Sequence, residues 1–234
     1  MPRKEKIREM FDDIAPRYDA FNHLASMNID RRWRRRAIRE VAAVKPEAVL
    51  DVACGTGDST IALTRALPER CRITGVDISP RMLKVMEGKV ASEGLGNRIS
   101  IVTGDAENLD FPDGSFDAVT CAFGVRNFEN LEKGIREMMR VLKPGGKLVI
   151  LELSMPSGKL LRKLYEVYFL HILPRVGKRL SGNESAFRYL PASVVNFPGK
   201  EKFTAILQDC GCTSVTHRAL SFGLARLYTA SYSL

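Results

Sequence analysis

Histidine is rare in this chain, with three among 234 residues, and tryptophan is rarer, with one. Five cysteines, Cys54, Cys71, Cys121, Cys210 and Cys212, are an odd number without framework spacing, which excludes a disulfide-stapled scaffold and points to a reducing, cytoplasmic setting. Cys210-Gly211-Cys212 is half of a metal site lacking a second pair of ligands, and His23, His171 and His217 are scattered, so no metal is assigned. Nowhere do about 18 residues pass without a charge, which excludes a membrane-spanning helix. The opening residues, MPRKEKIREMFDDIAPRYD, lack the apolar core of a secretory signal, so export is not expected.

What the chain does have is 45% apolar residues, enough for a buried core, and a net charge of +9 that is unevenly spread. Residues 1–40 hold 11 Lys/Arg against 7 Asp/Glu, residues 41–154 hold 14 against 16, and residues 155–234 hold 11 against 4. The basic character belongs to the flanks, which are expected to face an anionic partner or surface.

The slightly acidic middle alternates strand and helix patterns. AVLDVA (Ala48–Ala53) reads as an apolar strand, followed by a glycine loop and by STIALTRAL, a helix capped by Asp58 or Ser59. RITGVDIS (Arg72–Ser79) reads as a second strand, after which Pro80 opens a second helix. ISIVTGDA, FDAVTCAFGV and KLVILEL supply three more strands, and NLEKGIREMMRVLKPGG an amphipathic helix stopped by Pro144 and its glycines. This alternation predicts an α/β fold with a doubly wound, Rossmann-like parallel sheet, which binds its ligand at the carboxyl ends of the strands.

Three of those ends present an acid: Asp51, Asp77 and Asp105. Any one of them can be a turn residue or a helix cap, but three together point to a ligand. Asp77 lies 20 residues past Gly57, an offset suited to chelating ribose hydroxyls. The loop itself, Gly55-Thr56-Gly57-Asp58-Ser59-Thr60, lacks the third glycine of a dinucleotide site. A carboxylate about 5 Å from a phosphate costs on the order of 3 kcal/mol at an effective dielectric near 20, so Asp51 disfavours a pyrophosphate. S-adenosylmethionine, with a ribose, an adenine and a cationic sulfonium and ammonium, fits all three ends.

VLDVACGTGDST, GVDIS, GDAENLDFPDGSFDAVTCAFGVRN and VLKPGGKLVILEL resemble the successive motifs of class I S-adenosylmethionine-dependent methyltransferases. With MFDDIAPRYDAFNHLASMNIDRRWRR, FGVRN and RYLPASVVNFPGKEKF, nearly the whole chain is similar to the quinone-biosynthesis C-methyltransferases, which methylate the ring of polyprenylated quinols. The resemblance implies a seven-stranded sheet, completed by a hairpin of two closing strands around Phe222-Gly223 with one strand antiparallel. It implies an N-terminal helical cap over residues 1–40, a methyltransferase domain over 41–234 and an apolar helical insertion around 157–198. It also places Asp51, Gly55 and Gly57 at the methionine end of the cofactor, with Thr60 opening the first helix. Asp77 falls at the ribose, Asp105 and Ala106 beside the adenine, and Ala122 against the cofactor through its backbone. Ala53-Cys54 stands where many relatives have glycine, and Cys54 is expected to pack rather than react.

Arg126 and Asn127 end an otherwise apolar strand, and the resemblance makes them the candidate catalytic pair. C-methylation needs a phenolate, whose charge makes the ortho carbon nucleophilic. Arg126 can stabilise that oxyanion and Asn127 can add a hydrogen bond, whereas a guanidinium with a pKa above about 12 is a poor base. The plain alternative is an ion pair from Arg126 to Glu129 or Asp105. Tyr18 and Asn22 are the substrate-side candidates, on a segment that could equally be an ordinary packed helix. LLRKLYEVYFLHILPRV (Leu160–Val176) reads either as a core helix or as a lining for the polyprenyl tail beside an anionic membrane surface.

The expectation is therefore C-methylation of demethylmenaquinol to menaquinol, or of the equivalent ubiquinol precursor, at the inner face of the cell membrane. The oligomeric state stays open, a homodimer included. An RNA methyltransferase would share the cofactor site, but FGVRN replaces the motif expected for base-amine methylation and no RNA-binding module is evident, so nucleic acid is not expected as a partner. A non-catalytic NAD-binding regulator conflicts with Asp51 and the missing glycine.

Overall fold

Strands that are apolar along their whole length are stable only when covered on both faces, and the middle segments meet that condition as a parallel sheet. The computed structural model describes residues 3–156, 158, 162, 163, 165, 167, 168 and 184–232. Strands β1 (Ala48–Val52), β2 (Arg72–Asp77), β3 (Ile99–Thr103), β4 (Phe116–Ala122) and β5 (Leu142–Leu153) run parallel. β6 (Thr213–Leu220) and β7 (Ala225–Ser231) form the closing hairpin, with β7 antiparallel to β5. The seven-stranded order is β3-β2-β1-β4-β5-β7-β6. The chain reverses its direction of travel between β1 and β4, where a crevice must open at the carboxyl ends.

Alternate residues of each strand feed opposite layers. Val49, Ile73, Ala118, Val149 and Leu151 pack with Trp33, Ile38 and Val41 of α3 (Asp30–Ala42) and Leu63 of α4 (Asp58–Ala66). Leu50, Val119, Leu148 and Ile150 face the other way, against Ile135 and Met138 of α6 (Leu131–Arg140). α5 (Pro80–Ser92) covers the β2–β3 side through Leu83, Met86 and Val90 and is capped by Ser79, whose Oγ accepts from the Met82 amide at 3.1 Å. α3 is thus part of the core layer, and only α1 (Lys4–Ile14) and α2 (Tyr18–Ala25) extend over the strand ends. Two further helices are α7 (Glu184–Asn196), which contains Pro191, and α8 (Lys200–Asp209).

Two local expectations are corrected. The cap of α4 is Gly57, in a left-handed conformation at φ 85°, rather than Asp58 or Ser59. Asp58 is instead drawn to Lys89 at 2.7 Å. α6 stops at Arg140, before Pro144, because Leu142 already pairs with Phe116 and Gly145 and Gly146 exchange backbone hydrogen bonds with Tyr232. The stretch from Lys143 to Gly146 is an irregularity within β5, not a helix end. Most of the apolar segment Leu160–Val176 lies outside the described residues. Among the described residues no helix is long and apolar enough to cross a membrane.

Candidate active site

The β1 carbonyl end turns into the glycine loop through three left-handed residues, Ala53, Gly55 and Gly57. The two glycines serve different purposes. A Cβ on Gly55 would meet nothing closer than Tyr18 Cε1 at 3.9 Å, so its bare backbone borders open space. A Cβ on Gly57 would lie 2.5 Å from Met86 Cγ, so that glycine exists to admit Met86 and to start α4. Asp51 is fully buried, and its Oδ2 accepts from Thr60 Oγ1 at 2.6 Å. Its Oδ1 is buried without a partner among the described residues. Burial pushes its carboxyl up to about 6, and Thr60 and Arg34 only partly counter that.

A cavity opens along the ends of β1 to β4. Gly55, Asp77, Asp105, Ala106 and Ala122 line it, whereas Asp51, Gly57 and Thr60 do not. Asp77 accepts from the Gly55 and Ser79 amides, each at 2.8 Å, and burial raises its pKa. For Asp105 burial works upward too, but Lys4 at 2.7 Å brings its carboxyl below the usual range. α1 and α2 roof this cavity with Ile7, Phe11 and Tyr18. They are fastened by polar contacts: Asp12 accepts from Ser79 Oγ at 2.6 Å and the Arg81 amide at 3.1 Å, and Asp19 pairs with Lys89 and accepts from Thr56. Cys54 is buried at the cavity wall against Met86, and burial pushes its thiol well up.

A second cavity adjoins the first across Tyr18, Arg34 and Phe123. Trp33, Leu153, Leu190 and Leu224 give it apolar walls, and Asn22 and Arg126 polar points. Arg126 pairs with neither Glu129 nor Asp105. Its Nη1 donates to Glu152 Oε1 at 2.8 Å and to the Phe123 carbonyl, its Nε donates to Ser193 Oγ at 3.3 Å, and its amide donates to Glu152 Oε2 at 3.2 Å. Burial disfavours its charge, yet Glu152 holds the guanidinium above its ordinary pKa. Asn127 lines the first cavity and accepts from Tyr189 Oη at 2.9 Å. The candidates thus fall into two adjoining groups with Tyr18 in both.

Sequence reading missed Glu152, Ser193, Tyr189, Arg34 and Lys4. Glu152 alone carried a signal, as the single acid in the apolar KLVILEL. The others reach the site only through tertiary contacts.

Residues 2–231 match the model of the ubiE/COQ5 methyltransferase family. The chain belongs to that family. It is 44% identical to the ubiquinone/menaquinone biosynthesis C-methyltransferase UbiE of Geobacter sulfurreducens, over 98% of this chain and 90% of that protein. It is also 44% identical to the demethylmenaquinone methyltransferase of Bacteroides fragilis, over 98% and 93%. Among solved structures, the [4+2]-cyclase SpnF superposes with a TM-score of 0.75 at 17% identity, covering 100% of this chain and 98% of that one. A SAM-dependent methyltransferase from Aquifex aeolicus superposes with a TM-score of 0.57 at 20% identity, over 79% and 81%. At such identities the superpositions speak for the fold alone, and one of the two neighbours is named as a cyclase.

The two loop glycines should separate on substitution. Gly57→Ala, which meets both left-handed strain and Met86, should lose about 3 kcal/mol in denaturant unfolding, whereas Gly55→Ala should lose about 1 kcal/mol from strain alone. Equal losses would remove the distinction.

Proposed function

We propose that the protein transfers a methyl group from S-adenosylmethionine to a ring carbon of a polyprenylated quinol, demethylmenaquinol first among them. The observation that carries this reading is the pair of adjoining cavities, one edged by acids at the strand ends and the other apolar with a buried arginine in its wall. The names of the relatives in Geobacter and Bacteroides point to the same chemistry.

The cofactor, when bound, supplies an electrophilic methyl on a cationic sulfur. Gly55, Asp77, Asp105, Ala106 and Ala122 would hold it, and Asp51 would supply negative charge from behind the loop. The fit rests on charge: Asp77 and Asp105 line the cavity, and Asp51 behind the loop keeps a carboxylate oxygen without a donor, whose field favours a ligand bearing an ammonium and would repel a pyrophosphate. Thr60 fixes the Asp51 carboxylate, and Gly57 sets the loop in which Gly55 approaches the ligand.

Arg126 is placed to favour the phenolate form of the quinol. Tyr18, Tyr165 and Tyr189 are each raised by burial, and the Arg126 charge pulls each of them back down. The same field would act on a quinol hydroxyl between Tyr18, Asn22 and Arg126. Proton acceptance by Arg126 itself is opposed by its elevated pKa. Glu152 and Ser193 act through Arg126: they commit its Nη1 and Nε, and among the described residues nothing engages Nη2. Asn127 is steadied by Tyr189 beside the transfer point. Residues 1–40 bring the cap, of which α1 and α2 cover the cofactor cavity and would shield the sulfonium from water. A quinol with a polyprenyl tail also calls for contact with a membrane surface at the cytoplasmic face.

Labelled methyl from S-adenosylmethionine should appear on a ring carbon of reduced demethylmenaquinol and not of the oxidised quinone, with the ubiquinol precursor and bulk RNA as comparisons. Transfer to RNA, or to no quinol, would overturn the reading. Affinity for S-adenosylmethionine should rise with pH as Asp51 ionises and level off above about 6, with a proton released on binding below that value. In the free protein the sign is opposite: the raised pKa favours the fold while Asp51 is protonated, and that contribution fades as pH rises through about 6. A pH-independent affinity across this range, measured by calorimetry, would take Asp51 out of the site.

Arg126→Lys should lower kcat about 10²-fold to 10³-fold. Glu152→Gln should lower kcat and displace the pH–rate profile while leaving adenosylhomocysteine affinity intact. Ser193→Ala, a milder change, should lower kcat several-fold by about 1 kcal/mol. Loss of thermal stability with unchanged kcat and pH profile would make Glu152 and Ser193 structural only.

A further inference from the structure

We infer that the protein docks on an anionic lipid surface through the rim of the second cavity, with Phe222 and Met27 as apolar contacts and exposed arginines of α3 as charged ones. The inference rests on the reading of the substrate as a polyprenylated quinol for its purpose, and on the following geometry for its place.

Phe222 is 84% exposed and Met27 is 68% exposed, the two most exposed large apolar side chains among the described residues. Both stand at the edge of the same cavity. Met27 lines it directly. Phe222 is held at it from both sides, because Leu224 lines the cavity and Ser221 Oγ accepts from Nε1 of Trp33, another wall residue, at 2.9 Å.

Neither position is one that folding alone would give to an apolar residue. Phe222 has φ 59° and Met27 φ 50°, left-handed turns where glycine or asparagine is least strained, and solvent exposure asks for a polar residue as well. Residues that break two local rules together mark a surface selected for something other than stability.

Exposed cations follow the Met27 tip in the chain, beyond the buried Asp30. Directly after Met27, α3 begins with Arg31 and Arg32 in its first turn, where the helix dipole disfavours cations. Arg32 and Arg36 are exposed, and neither takes part in an ion pair among the described residues, whereas Arg31 and Arg35 line a separate groove that also holds Asp58 and Glu93, and Arg34 faces Asp30. Apolar tips beside unpaired arginines match a leaflet in which acyl chains lie under phosphate headgroups. A nucleic acid would use the arginines but leave the apolar tips idle. With the rim seated on such a leaflet, the tail can remain among acyl chains while the ring enters the cavity towards Arg126.

The test is sedimentation with vesicles of neutral phosphatidylcholine and of phosphatidylcholine mixed with phosphatidylglycerol, using the full chain and two variants. The wild type should prefer the anionic vesicles and release them at high salt. Phe222→Asn, which suits the left-handed turn, should bind about tenfold more weakly with its Tm unchanged or raised. Arg32→Gln with Arg36→Gln should lose about fivefold per arginine on anionic vesicles only. Both variants should methylate a short-chain, water-soluble quinol like the wild type, and a vesicle-embedded long-chain quinol more slowly.

Vesicle binding that ignores lipid charge, or that Phe222→Asn leaves unchanged, would overturn the docking surface. So would a wild-type dimer that Phe222→Asn converts to monomer without effect on vesicles, or release of the vesicle-bound protein by equimolar RNA. Vesicle binding with the expected variant losses, but no methyl transfer to either quinol, would uphold the surface and sink the substrate assignment.

Discussion

A parallel sheet covered on both faces has nowhere to keep polar chemistry except at the ends of its strands, and the rest of this molecule follows from that constraint. The interior of β1 is so dry that Asp51, at its carboxyl end, is pushed toward neutrality and keeps one oxygen without a donor. Asp77 and Asp105, one and two strands away, meet the same end of the sheet with progressively more help, from backbone amides and then from Lys4. The result is a crevice whose negative charge is graded by burial.

The same dryness governs the second cavity. A lone guanidinium there would be too costly to bury, so Arg126 is held by a carboxylate from the neighbouring strand, a serine from α7 and a backbone carbonyl. That pairing reduces the net charge of the site but fixes its geometry, and the remaining field still reaches Tyr18, Tyr165 and Tyr189. An arginine held in this way suits the electrostatic role proposed for it better than that of a proton acceptor.

Closure of the crevice is local and polar. Among the described side chains of α1 and α2 Ile7 is the one that is buried, and Lys4, Asp12 and Asp19 fasten the two helices by meeting Asp105, Ser79 and Lys89. Contacts of that kind are weaker and more salt-dependent than core packing, and they hold the roof less firmly than such packing holds α3.

Much of this could be read along the chain. The strand and helix alternation, the acids at three strand ends and the glycine loop depend on local pattern, so the sheet and the line of Gly55, Asp77, Asp105 and Ala106 were legible without coordinates. The end of α6 was not, since pairing of Leu142 with Phe116 outranked the stop signal at Pro144. Nor was the difference between Gly55 and Gly57, which rests on where Met86 of another helix happens to lie. The sequence by itself determined the order of elements and the chemical character of each strand end, because these follow from spacing and hydrophobic period. Only the tertiary structure decided that Arg126 pairs with Glu152, that Tyr18 joins two cavities and that Phe222 and Met27 share one rim, because each of these joins residues far apart in the chain that meet only when the layers pack.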